Sequence, residues 1–170
     1  MARILIVGGG CRGRRFAAQM TASDHAVRVT TRTEAGRPAI EATGAECWIG
    51  TPDRLATLRG ALENVTIACW MLAGAHGDPD AVQALHGSRL EFFLGQAIDT
   101  TVRGLIYDAT PGRVPPEALA EGERLVSSLT KLNAIPMALL GLDRVAGAAD
   151  DDEAWVGEAA ATVERLLARA

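Results

Sequence analysis

Gly8, Gly10 and Gly13 stand in Gly-x-Gly-x-x-Gly spacing directly after the apolar run Ile4-Leu5-Ile6-Val7 and directly before a helix-forming stretch. Strand, glycine turn and helix in that order build a cradle for a pyrophosphate. One glycine turns the chain, a second lets the backbone approach the phosphates, and the third lets the helix pack closely on its strand. The helix N-terminus supplies N–H donors and the positive end of its dipole. With Cys11 and Arg12 inside the turn, residues Gly8, Gly10, Cys11, Arg12 and Gly13 are the expected phosphate-binding set of a dinucleotide site.

The tip of the second strand selects the dinucleotide. A site for NAD usually places Asp or Glu there, about 20 residues beyond the glycines, to bond the ribose 2′-hydroxyl. This chain instead reads Val29-Thr30-Thr31-Arg32-Thr33. No carboxylate stands there to repel a 2′-phosphate, and the guanidinium fork of Arg32 can pair with one. Arg12 is a second candidate for the same phosphate. NADP(H) is therefore favoured over NAD(H), with Glu34, two residues past Arg32, as the acid that would serve an NAD ribose were the strand to end later.

Proton chemistry has fewer candidates. In an open parallel sheet the ligand lies beyond the carboxyl ends of the strands, where Gly74, Ala75, His76, Asp108 and Thr110 are expected to gather. His76 has the only unperturbed pKa near neutrality among them, which makes it the catalytic candidate, against the alternative of a loop histidine without a role. Asp108 and Thr110 either bond ribose or substrate or cap the next turn. Cys11 is either a thiol sensitised by its helix terminus or a small filler.

The elements that must position these residues alternate between strand and helix patterns. Strands are expected at 1–7, 26–31, 46–49, 65–72, 105–107 and 135–140. Helices are expected at 13–23, 34–43, 53–62, 79–97 with Gly87 as a breaking point, 116–131, and from the acidic run at 150–153 onward. Nearly unbroken apolar runs such as 65–72 mark strands covered on both faces, with Trp48 and Trp70 as core residues. Alternation with right-handed crossovers implies an α/β fold: a single doubly wound parallel sheet of about six strands, Rossmann-like, with helices on both faces.

Composition sets the outer limits. With 170 residues and 48% hydrophobic content, one well-filled domain over 1–170 is expected. A net charge of −4 argues against nucleic acid and anionic membrane as partners. No apolar stretch reaches the roughly 18 residues of a membrane span, and no secretory leader is visible. Three cysteines without metal spacing fit a reduced, cytoplasmic protein.

The chain resembles the NAD(P)-binding Rossmann proteins, most closely the atypical short-chain dehydrogenase/reductase group with its NmrA-like and epimerase-like members. The matching residues are Ile6-Val7-Gly8-Gly9-Gly10-Cys11-Arg12-Gly13-Arg14, then Gly50-Thr51-Pro52-Asp53 with Leu55 and Leu58, and Met71-Leu72-Ala73-Gly74. The resemblance implies that Thr51, where the family usually has an acidic residue near the adenine, and Ala73 and Gly74 at the end of the fourth strand, join the cofactor wall. It also implies a Tyr-x-x-x-Lys pair in which Lys lowers the Tyr pKa for proton exchange. This sequence lacks that pair: its one tyrosine, Tyr107, is followed four residues on by Pro111, and its one lysine, Lys131, is preceded at that spacing by Ser127. Two readings follow. One is a small NADP(H)-dependent reductase-like or epimerase-like oxidoreductase with an unconventional proton donor; the other is a non-catalytic dinucleotide-binding sensor or interaction module. Only 142–149 and one helix follow the last strand. A substrate site is then shallow, or completed by a second subunit in a homo-oligomer.

Overall fold

The structure is a computed structural model that describes residues 1–141 and 152–169. Six strands, β1 (Arg3–Val7), β2 (Ala26–Thr31), β3 (Glu46–Ile49), β4 (Ile67–Trp70), β5 (Gly104–Asp108) and β6 (Met137–Leu140), form one sheet in the order β3-β2-β1-β4-β5-β6. All five pairings are parallel. The chain thus winds outward from β1 in one direction and then returns to cross it. Ile6 of β1 is paired with Val29 of β2 on one side and Cys69 of β4 on the other. The crevice between β1 and β4 is the switch point at which such sheets bind ligands.

Alternation within the strands assigns the two faces. Ile4 and Ile6 point into a core shared with Phe16, Ala17 and Met20 of α1 (Cys11–Ala22), Ile40 of α2 (Arg37–Glu41), and Trp155, Ala159 and Val163 of α6 (Asp152–Leu167). Leu5 and Val7 point the opposite way, toward Leu90, Phe93 and Leu94 of α4 (Ser88–Ile98) and Val126 of α5 (Pro116–Leu132). Ile4, Leu5, Ile6 and Val7 are all fully buried. Phe16 and Trp155 meet edge to face with ring centroids 6.2 Å apart. Such a contact adds about 0.5–1.5 kcal/mol to the area that the rings bury, and it clamps α6 onto α1.

The expected elements form, with differences in the helices: the one expected over 34–43 is a 3-10 turn, Glu34–Gly36, followed by the short α2. The first helix begins at Cys11, immediately after Gly10, so the glycine turn is also the helix start. The helical stretch expected over 79–97 breaks at Gly87, as expected, into α3 (Pro79–His86) and α4. The helix expected over 53–62 is instead two 3-10 turns, Leu55–Leu58 and Gly60–Leu62. Their carbonyls are claimed from outside: the Trp48 indole donates to the Thr57 oxygen at 2.7 Å, and the buried Arg28 guanidinium donates to that of Ala61 at 2.6 Å. With these carbonyls drawn toward β2 and β3, the leucine periodicity still buries Leu58 and Leu62 without an α-helix. Asp150 and Asp151 of the acidic run lie outside the described residues. Asp152 and Glu153 occupy the first turn of α6. Among the described residues, no helix is long and apolar enough to cross a membrane and no side-chain cluster is suited to a metal.

Candidate functional site

A cleft of about 780 Å³ opens at the carboxyl ends of β1, β2, β4 and β5. Its floor is the glycine turn. Gly8 has φ +128°, a backbone state that side chains oppose, and a Cβ there would lie 2.4 Å from the carbonyl oxygen of Met71. A Cβ on Gly13 would lie 2.0 Å from the Gly8 oxygen. Gly10 differs from both: a Cβ there meets nothing within 4 Å. Packing within the protein explains Gly8 and Gly13 but gives no reason for Gly10. A ligand pressed against the backbone would supply one.

α1 starts at this point without a side-chain cap and without an acidic residue in its first turn. The first residues of α1 line the cleft, so the positive end of the helix dipole lies at its floor. The loop is braced from beneath. Gly8 N–H donates to Thr30 Oγ1 at 3.3 Å, and the Arg14 guanidinium donates to the Gly9 oxygen at 2.9 Å.

The sequence-derived site residues divide by whether they reach the cleft. Gly8, Gly10, Cys11, Arg12, Gly13, Arg32, Ala73, Gly74 and His76 all line the cleft. Thr51 does not: Gly50 and Pro52 reach the wall, while Thr51 donates its hydroxyl to the Asp53 carboxylate at 3.2 Å and its N–H to Thr57 Oγ1 at 2.9 Å. The two arginines separate. Arg32 stands exposed at the end of β2 with its guanidinium 3.6 Å from Asp53, whereas Arg12 reaches the other way, to Asp152 of α6 at 2.6 Å and over the Trp155 ring. Since α6 packs on β5 and β6, Arg12 belongs to the β5 side of β1 and Arg32 to the β2 side.

Asp108 ends β5 and is 4% exposed. Its Oδ1 accepts from the Thr110 N–H at 3.1 Å, the Thr110 hydroxyl at 2.5 Å and the Trp155 indole at 3.4 Å. Burial raises its carboxyl above the usual carboxylate range, with the Thr110 and Trp155 donors and the Arg12 charge acting in the opposite sense. His76 is exposed at the rim. Tyr107 points away from the cleft: it is fully buried, its hydroxyl 2.6 Å from His86 Nδ1 and 3.3 Å from the Leu119 oxygen to which it donates. Burial pushes the Tyr107 phenol up and the His86 imidazole down to about 4. Ser127 and Lys131 lie on exposed positions of α5, and neither is part of the cleft.

Sequence reasoning missed Asp152 and Trp155 as cleft residues. Both also line it. Their helical spacing marks a buried stripe and an acidic first turn, and nothing local says that α6 packs against α1 and the end of β5.

No family model matches this chain, and no curated protein matches it. Solved structures do. A short-chain dehydrogenase/reductase superfamily protein from Agrobacterium tumefaciens with bound NAD shares 20% identity over 81% of this chain and 48% of its own, with a TM-score of 0.65. The UDP-glucuronic acid 4-epimerase of Bacillus cereus in complex with NAD shares 16% over 81% of this chain and 54% of its own, at 0.62. The Citrobacter sp. triphenylmethane reductase complexed with NADP(H) shares 19% over 81% of this chain and 48% of its own, at 0.59. The chain spans about half the length of these structures. The six-stranded parallel sheet, wound outward from a glycine turn at the end of β1, is the Rossmann fold of these short-chain dehydrogenase/reductase, epimerase and reductase proteins.

Proposed function

We propose that this protein binds a nicotinamide dinucleotide in the cleft above β1 and β4, and that it is an oxidoreductase-like Rossmann protein that prefers NADP(H). The observation that carries this reading is the contrast among the glycines. Gly8 and Gly13 are needed by the fold, while Gly10, at the bare start of α1, has open space where its side chain would stand. A pyrophosphate held there by backbone N–H groups needs that space. Arg32 supports the NADP(H) preference: it is an exposed cation lining the cleft at the tip of β2. The dinucleotides bound in structures of the same fold support the ligand class.

When bound, the nicotinamide ring would supply hydride transfer; the protein supplies binding, orientation and the proton. The leading N–H groups of α1 would hold the phosphates. Arg32 would meet the ribose end and Gly74 the edge of β4. His76, at the rim, is the residue free to exchange a proton with a substrate oxygen.

Titration of the protein with NADPH and NADH tests this reading. Wild-type protein is expected to bind NADPH more tightly than NADH, and Gly10→Val is expected to lose binding of both while melting at the wild-type temperature. Unchanged affinity in folded Gly10→Val removes the assignment.

A second reading rests on Tyr107. The one tyrosine of the sequence is sealed in the core on the side of the sheet that faces α5, bonded to His86 and the Leu119 oxygen. A chain so arranged fits a dinucleotide-binding sensor or interaction module without turnover. Binding without reduction of any carbonyl or quinone substrate would favour it.

A further inference from the structure

We propose that Asp53, fixed by Arg89, tunes the discrimination between NADPH and NADH by restraining and partly neutralising Arg32. This rests on the dinucleotide reading above. Asp53 follows β3 in the chain and is not among the residues that line the cleft, whereas Arg32 is. Its Oδ2 is 3.6 Å from Arg32 Nη2 and accepts the Thr51 hydroxyl at 3.2 Å; its Oδ1 is bound by Arg89 Nη1 of α4. The three side chains form one network with a net charge of +1. Arg89 is the better buried of the two arginines, with 26% of its side chain exposed against 69% for Arg32. The carboxylate is thus anchored on the protein side and leaves Arg32 as the more exposed member, at the cleft.

The chemistry sets the direction. A 2′-phosphate approaching Arg32 meets a guanidinium already sharing its charge with Asp53, and it is repelled by that carboxylate. The exposed Arg32–Asp53 pair is weak enough to give way, since ion pairs in water rarely exceed 1 kcal/mol. A 2′-hydroxyl carries no charge and is not repelled by the carboxylate. The carboxylate absent from the tip of β2 is in this way supplied from the β3 loop, at one remove through Arg32.

Affinities of NADPH and NADH are measured for wild type, Asp53→Asn and Arg89→Gln, at low and at high salt. Asp53→Asn is expected to tighten NADPH by about three- to tenfold while leaving NADH unchanged, and the gain is expected to shrink at high salt, as an effect between exposed charges must. Arg89→Gln removes one positive charge and the anchor, and is expected to weaken NADPH by about threefold or more with NADH again unchanged. A NADPH-to-NADH ratio that stays at the wild-type value in both variants, moves in the opposite direction, or changes equally at every salt concentration overturns the role of Asp53. Failure of the wild type to bind either dinucleotide overturns the dinucleotide reading together with it.

Discussion

The carbonyl oxygen of Gly8 lies so close to Gly13 that a β-carbon on Gly13 would sit 2.0 Å from it. The last residue of the glycine turn is thus packed against the first. Helix α1 can leave β1 at this angle only because neither position carries a side chain, and that angle aims the helix start at the cleft.

Gly13→Ala is expected to destabilise the protein by about 1–3 kcal/mol or more, because the contact is with backbone and cannot yield as a flexible side chain would. Thermal or urea denaturation measures this. A Gly13→Ala protein of wild-type stability would show that α1 can pivot on β1, and the close packing of the turn would then not define the cleft.

Arg32→Asp is expected to weaken NADPH by about 1–3 kcal/mol and NADH by much less, since it removes a cation and adds repulsion at the 2′-phosphate. Isothermal titration of both cofactors gives the comparison. Equal losses would return Arg32 to a role in loop structure.

His86 makes stability depend on pH. Its folded pKa, lowered by burial to about 4, lies below the ordinary histidine value, so the unfolded chain binds the extra proton first. Its contribution is therefore complete above about pH 6.5 and is lost as pH falls toward 4, on the order of 3 kcal/mol at the acid end. Urea unfolding between pH 7 and pH 4 measures the slope. His86→Gln is expected to flatten it, while a slope equal to wild type would place the acid sensitivity elsewhere.

Reduction of simple ketones is expected to be slow or undetectable even where NADPH binds, because the one tyrosine of the sequence, Tyr107, is buried away from the cleft. Any turnover found is expected to survive Ser127→Ala and Lys131→Ala, whose side chains lie outside the cleft, and to fall with His76→Ala. A loss of about a hundredfold in either helix variant with binding intact would assign the proton to α5 instead.

Local patterns in the sequence are sufficient for the strands β2 and β3, whose limits coincide with the expected ones, and for the glycine turn. Alternation of apolar residues and glycine spacing are properties of a few adjacent residues, so they can be read without knowing what lies across the sheet. The 3-10 turns after β3 were not legible. Their form follows from Arg28 and Trp48, more than eight residues earlier in the chain, taking their carbonyls.

The same division holds for the site. By itself the sequence determined that a glycine turn joins the first strand to the first helix, that Arg32 and no carboxylate follows β2, and that no Tyr-x-x-x-Lys occurs in the chain. Only tertiary structure decided that Arg12 turns to Asp152 and away from Arg32, that Thr51 leaves the cleft wall, that Asp53 reaches both Arg32 and Arg89, and that Trp155 meets Asp108. The physical reason is distance along the chain. Each of these relationships except the Thr51–Asp53 bond joins residues at least 21 positions apart, and strand order together with the packing of α6 on α1 determines which of them meet.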